Sequence, residues 1–307
     1  MGDGAVGDGI EVVRGALGGR AASVVEQAAA AARADGVEPL SEQFLMATGG
    51  AGIHILAAGG YAGIVTAPGG GPAAVEAFVE PAARGRGLGR ALVAAALDAV
   101  GDGATVWAHG DLPAARAVAA ALGLTVAREL LQLRRPLDGL APVPEPGPGV
   151  AVRTYAGPAD DAAILAVNNA AFAWHPEQGG WTQDQIAERT GSDWFDPKGL
   201  FLAVEAPRPE GGPGREGRVL GFHWTKVHPA EDGEPALGEV YIVGVAPEGQ
   251  GKGLGRLLTA VGLEYLAERG LNEVELYVEG DNTAALRTYR RLGFSDYRRD
   301  VAYGRRR

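Results

Sequence analysis

The run Gly244-Val245-Ala246-Pro247-Glu248-Gly249-Gln250-Gly251-Lys252-Gly253-Leu254-Gly255-Arg256 reads as an apolar strand stopped at a proline, a glycine-rich turn, and the start of a helix. Apolar residues then recur at helical spacing: Leu254, Leu257, Leu258, Val261 and Tyr265. The stretch Phe78-Val79-Glu80-Pro81-Ala82-Ala83-Arg84-Gly85-Arg86-Gly87-Leu88-Gly89-Arg90 repeats this order at an offset of 166, Phe78 against Gly244, with Leu88, Leu92, Ala95 and Ala99 as its helical stripe. Each copy continues into a strand, ATVWAH (104–109) or EVELYV (273–278), and a short helix closed by Gly123 or Gly293, where glycine suits the left-handed position after a helix. Gly123 against Gly293 gives an offset of 170, so the copies differ by four residues between helix and strand. Duplication explains this more economically than coincidence, and it predicts an α/β protein (α+β, mixed sheet) with two tandem domains.

The chain has 307 residues, 46% of them apolar and 21% charged, enough for two domains that each bury a core. Residues Arg135 to Gly149 hold five prolines and three glycines, which places the boundary there and predicts domains at 1–140 and 150–307. Pro207 to Gly217 lies between two strand-like runs and reads as a long hairpin loop. The absence of cysteine excludes a disulfide framework, Cys-ligated metal and a catalytic thiol. No His/Glu spacing forms a metal set, so no metal is expected. The net charge is −10, split as −5 on either side of residue 149, which disfavours nucleic acid. The basic stretch Arg287 to Arg307 reads as solvated surface. No apolar run approaches the roughly 18 residues of a membrane helix. Met1-Gly2-Asp3-Gly4-Ala5-Val6 carries no signal-peptide pattern, so a cytoplasmic monomer without a membrane is expected.

A turn bearing Gln250, Gly251, Gly253 and Gly255 ahead of a helix presents backbone N–H groups at the positive end of the helix dipole, a cradle for pyrophosphate. Lys252, Arg256 and Arg287 can add charge-assisted contacts. The alternative is a merely tight turn. A P-loop fails, because Gly251-Lys252 is followed by Gly253 rather than Ser or Thr. A dinucleotide fingerprint fails, because Arg256 and Arg90 stand where its third glycine belongs.

The spacing Gln/Arg-x-x-Gly-x-Gly, met at Gln250–Gly255 and Arg84–Gly89, resembles the acetyl-CoA loop of the GNAT N-acetyltransferases, and Asn282, Ala285, Tyr289 and Leu292-Gly293-Phe294 complete the pattern. The resemblance implies a sheet splayed between two strands, with the pantetheine arm in the splay and Gly244 and Val245 at its end. By the same resemblance acetyl-CoA is held by Val243, Gly244, Val245, by Gln250, Gly251, Lys252, Gly253, Leu254, Gly255, Arg256, and by Asn282, Thr283, Ala284, Ala285, Leu286, Arg287. In the first copy Ala77, Phe78, Val79, Gly85, Arg86, Gly87, Leu88, Gly89 and Arg90 match. That copy carries Leu112 opposite Asn282 and Ala119 opposite Tyr289, so it reads as catalytically degenerate yet able to bind acetyl-CoA.

Acetyl transfer from a thioester to an amine needs a neutral amine, support for an oxyanion and a proton for the thiolate. Glu239 begins the strand Glu239 to Val245, and alternation places Glu239, Tyr241, Val243 and Val245 on one face, where the carboxylate can accept the ammonium proton. A strand N–H near Val243 to Val245, left unpaired by the splay, can polarise the thioester. Tyr289, seven residues after Asn282, can offer its hydroxyl to sulfur; the competing reading is a core aromatic.

The duplication, together with His175-Pro176-Glu177-Gln178-Gly179, Phe222-His223-Trp224-Thr225-Lys226, Gly238 to Val245 and Leu276-Tyr277-Val278-Glu279, is similar to the mycothiol synthase family over nearly the whole chain. The resemblance implies acetyl transfer from acetyl-CoA to the cysteinyl amine of cysteinyl-glucosaminyl-inositol, a small-molecule acceptor. It puts Glu177, Lys226, Glu239 and Tyr277 at the acceptor, Asp35 (or Glu38) there from the first domain, and Tyr289 at the leaving group. His175 and His223 read as structural. Other readings are a GNAT enzyme for another small amine and a non-catalytic acyl-CoA sensor.

Overall fold

The computed structural model describes residues 5–6, 9–50, 52–66, 72–101, 103–174, 178–206, 217–231 and 233–306. The chain divides into two units: Met1–Leu131 with Glu279–Asp281 and Arg298–Arg307, and Gln132–Val278 with Asn282–Tyr297. Neither is a single stretch of chain.

The first unit holds β1 (Ala5–Val6), β2 (Ile10–Arg14), α1 (Ala21–Asp35), α2 (Glu42–Thr48), β3 (Ile53–Ala57), β4 (Gly60–Thr66), β5 (Ala73–Val79), α3 (Leu88–Val100), β6 (Thr105–Ala108), α4 (Pro113–Ala121) and the beginning of β7 (Leu124–Pro136). Strands β1 to β5 form an antiparallel meander. β5 then pairs in parallel with β6, the crossover being α3. Alternation on β5 sends Val75 toward Leu92 and Ala96 of α3, and Phe78 toward Ala31 of α1 and Phe44 of α2.

The second unit holds β8 (Val150–Thr154), α5 (Asp161–Ala171), α6 (Gln183–Thr190), β9 (Leu200–Glu205), β10 (Val219–His228), β11 (Leu237–Val245), α7 (Leu254–Glu268), β12 (Glu273–Glu279), α8 (Thr283–Arg291) and the start of β13 (Ser295–Arg305). The later part of β13 pairs antiparallel with β6 in the first unit, from Val301 opposite Ala108 to Gly304 opposite Thr105. β8, β9, β10 and β11 are antiparallel neighbours, and β12 joins β11 in parallel. Leu254, Leu257 and Leu258 of α7 pack with Phe201 and Val245 on one face. Ile164 of α5 and Ile186 of α6 pack with Phe222, Trp224 and Ile242 on the other. The order strand, two helices, three strands, helix, strand, helix, strand is common to both units, so the duplication reaches well upstream of the glycine turns.

The expected splay is present in both. β11 and β12 share only the pairs Gly238 with Val274 and Glu239 with Glu275, and β5 and β6 part after Glu76 opposite Trp107. One expectation is overturned. The β10–β11 register jumps from Trp224 opposite Ile242 to Thr225 opposite Val240, which leaves Tyr241 as a bulge. A bulge puts two consecutive side chains on one face, and Tyr241 and Ile242 both join the α5 and α6 side while Val245 faces α7. Glu239 and Tyr241 therefore share a face, and Val243 and Val245 belong to the opposite one.

Residues 137–149 contain no helix or strand, although β7 continues through Pro136. β9 and β10 form the antiparallel pair expected around the proline-rich loop, whose residues 207–216 lie outside the described residues.

Candidate active site

In the second unit Gly251 and Gly253 both have φ of 75°, a conformation that favours glycine, and Gly253 is the N-cap of α7. No side chain caps this helix, and its first turn carries no acidic residue. The N–H groups of Leu254, Gly255 and Arg256 therefore stand ready for an anion. Gln250, Lys252, Arg256 and Arg287 are exposed, and none of the three cations forms an ion pair with the described residues. Val243, Gly244 and Val245 lead from the splay to this turn. Asn282 caps α8, its Oδ1 accepting the Ala285 N–H at 3.1 Å, and so fixes Thr283, Ala284 and Ala285 beside Leu286, which is buried. The residues present thus fit an acyl-CoA: a bare helix terminus for phosphates and a parted ladder for the arm.

Two turns along α8, Tyr289 packs edge-on against Phe294, with ring centroids 5.8 Å apart. Burial pushes its phenol up to about 12, so it stays protonated across the neutral range. Its hydroxyl makes no hydrogen bond to the described residues.

On the α5 and α6 side of the same sheet Glu239 is 9% exposed and stands opposite Lys226 in the β10–β11 ladder. The Lys226 ammonium lies 5.0 Å from the Trp194 ring and 5.7 Å from the Tyr241 ring, a cation held over two aromatic faces. Tyr241 also meets Trp224 edge-on and accepts a hydrogen bond from Arg189 Nε at 3.3 Å. On β12, Glu275 accepts from Gln132 Nε2 at 2.7 Å and from Arg134, and Tyr277, 48% exposed, accepts from the same Gln132 at 3.1 Å. Lys226, Glu239 and Tyr277 therefore belong to one unit. Glu177 lies outside the described residues.

His228, which no sequence motif marks, brings its Nε2 to 2.7 Å from Glu239 Oε2. A histidine directly after the Lys226-Val227 pair was the available signal. His223 is structural: burial lowers it to about 4, and its Nδ1–H donates to the Leu258 carbonyl at 2.8 Å.

The first unit keeps the turn, with Gly85 and Gly87 at φ of 78° and 83° and an uncapped α3. Ala77, Phe78, Val79, Gly85, Gly87, Leu88 and Gly89 line a cavity of about 720 Å³. Arg86 and Arg90 are exposed. Asp35, also at this cavity, grips Arg84 through two bonds of 2.7 and 2.8 Å. Leu112 precedes α4 without capping it, and Ala119 is buried at the cavity wall. Glu76, 3% exposed, accepts from the Ser41 N–H at 2.6 Å and from His109 Nε2 at 3.0 Å, while His109 Nδ1 donates to Asp300 at 3.1 Å. Burial disfavours the imidazolium, but Asp300 and Glu76 outweigh it and raise His109 to about 9. Glu76 was legible as a lone charge in the apolar strand Ala73–Val79.

The fold and the site define an acetyltransferase of the GNAT type, built twice in one chain. The Acetyltransferase (GNAT) family profile matches residues 169–294. The chain is 66% identical to the mycothiol acetyltransferase of Tsukamurella paurometabola over 95% of its own length and 98% of that relative, and 49% identical to that of Mycolicibacterium smegmatis over 94% and 96%. Among solved structures, a GCN5-related N-acetyltransferase from Sphaerobacter thermophilus superposes with a TM-score of 0.70 at 25% identity, covering 97% of this chain and 96% of its own. A tandem GNAT protein from the clavulanic acid biosynthesis pathway shares the fold, with a TM-score of 0.65 at 21% identity over 96% and 97%. The chain belongs to the mycothiol acetyltransferase family.

Proposed function

We propose that the second domain, residues 150–307, acetylates the cysteinyl amine of cysteinyl-glucosaminyl-inositol, and that the first, residues 1–140, binds acetyl-CoA without turning it over. The observation that supports this best is the placement of Glu239, Lys226 and Tyr241 on one face at the mouth of the splay, on the sheet that also carries the uncapped turn. Glu239 accepts the proton of the incoming ammonium, directly or through one water. A strand N–H between Val243 and Val245, freed from the β12 ladder, supports the oxyanion. Tyr289 supplies the proton that the departing sulfur requires. Acetyl-CoA, when bound, contributes the acyl group and a thiolate leaving group; Gln250 to Arg256 and Asn282 to Arg287 would hold it, with Lys252, Arg256 and Arg287 toward the phosphates. The ammonium loses one proton to Glu239 before it attacks, the nitrogen releases a second to solvent as the C–S bond breaks and the amide forms, and the sulfur takes one from Tyr289; Glu239 then gives its proton to solvent and Tyr289 regains one, a net release of one proton.

Lys226, Tyr277 and Glu177 form the acceptor side of the reading. A polyhydroxylated, cationic acceptor suits carboxylates, an ammonium donor and aromatic walls. The enzyme is read as a monomer working on this small molecule in the cytoplasm. No helix among the described residues is long and apolar enough to cross a membrane. Incubation of the protein with acetyl-CoA and the synthetic acceptor, followed by chromatography with mass detection, tests the reading. N-acetylated product is expected; acetyl-CoA binding without product moves the activity to another amine or to a sensor.

A further inference from the structure

We infer that His228 is a positioning residue for Glu239, holding one carboxylate oxygen so that the other is aimed at the acceptor amine; the inference rests on the reading of Glu239 as the base. In the antiparallel ladder Lys226 stands opposite Glu239 and His228 opposite Leu237, so His228 is the diagonal neighbour of Glu239 on the same face. Its Nε2 lies 2.7 Å from Oε2, and its side chain is 38% exposed while that of Glu239 is 11% exposed. A carboxylate this deep needs a donor. Lys226, the other cation in reach by register, spends its ammonium on the Trp194 and Tyr241 rings. His228 is the one donor to Glu239 among the described residues, and Oε1 has none. With Oε2 fixed by a donated N–H, rotation of the carboxylate is restrained and Oε1 is the oxygen left to take a proton. A base displaced by even 1 Å costs on the order of 100-fold in rate, so this restraint acts on turnover rather than on binding of acetyl-CoA.

The test compares His228→Gln and His228→Ala with the parent protein at saturating acetyl-CoA and acceptor. His228→Ala is expected to lower kcat by about 10-fold to 100-fold while the KM for acetyl-CoA is unchanged. His228→Gln, which retains an N–H donor, is expected to recover most of the loss, and added imidazole to rescue His228→Ala in part. Unchanged kcat in His228→Ala would overturn the inference, as would an equal loss in both variants with no imidazole rescue. A readout free of turnover separates this from the reading of the enzyme itself: the ¹⁵N spectrum of the His228 ring in the parent protein. A proton on Nε2 is expected whether or not the acceptor is acetylated; a bare Nε2 with the proton on Nδ1 overturns the inference even in an active enzyme.

Discussion

Glu76 and Glu239 each end the parallel ladder of their unit, although the 166-residue offset sets Glu76 opposite Ile242, and their surroundings differ. Each closes a short parallel ladder at the point where the sheet parts, each is buried, and each has a histidine partner. Both oxygens of Glu76 are occupied, by the Ser41 N–H and by His109, which is itself anchored by Asp300. Glu239 has one oxygen held by His228 and one free of donors among the described residues. A carboxylate saturated with donors is a poor base, because those bonds favour its charged form. The surroundings differ in the same sense. The β4–β5 ladder is regular where β10–β11 carries the Tyr241 bulge, and Ala119 and Leu112 stand where Tyr289 and Asn282 are. Duplication has kept the glycine turn and the splay and varied the side chains around them.

The contrast is broken most sharply at the two carboxylates. Glu239→Gln and Tyr289→Phe should each lower turnover by about 10² to 10⁴, the range of positioned acid–base groups. Glu76→Gln should leave kcat of the folded protein within about twofold, since it touches no reacting atom; steady-state rates with mass-detected product separate the cases, and a large kcat loss in Glu76→Gln would erase the distinction.

The next effect is on stability and belongs to the first unit alone. His109 is raised from 6.5 to about 9 in the fold, so its contribution is complete below pH 6.5 and disappears as pH rises through about 9. His109→Gln should therefore lower stability by on the order of 3 kcal/mol at pH 6 and by little above pH 9, as read from denaturant midpoints across that window. A pH-independent difference would mean that the imidazolium is not the source.

A smaller effect sharpens the acceptor side of the second unit. Lys226→Met should raise the acceptor KM by about 10-fold, the loss of one charge-assisted bond, and leave the acetyl-CoA KM unchanged. Equal changes in both constants would place Lys226 away from the acceptor.

Much of this was legible where chemistry leaves local marks. The glycine turns, Asn282 before α8, the terminal Gly123 and Gly293, and the strand Glu239–Val245, which the fold extends back to Leu237, all follow from short-range backbone requirements. The helices α1 and α2 were not read, although the alanine-rich run into Gly36, at φ of 68°, carries an ordinary helix ending. Three features depend on partners distant in sequence and have no local signature. The Tyr241 bulge is a mismatch with β10 and turned the expected face of Val243 and Val245. The Glu76–His109–Asp300 chain joins residues 33 and 191 positions apart. His228 acquires its role only when the ladder brings it diagonal to Glu239.

The division of labour between the copies is tested most directly by blocking one turn at a time. Gly253→Glu and Gly87→Glu each place a carboxylate and a strained left-handed side chain, at φ of 75° and 83°, where phosphate would sit. Product formation is followed in both by mass detection, with acetyl-CoA binding measured by calorimetry. Gly253→Glu should abolish N-acetylated product while one acetyl-CoA still binds at the first copy, and Gly87→Glu should retain the parent rate. Product at the parent rate from Gly253→Glu, or its loss in a folded Gly87→Glu, would contradict the assignment of chemistry to the second copy.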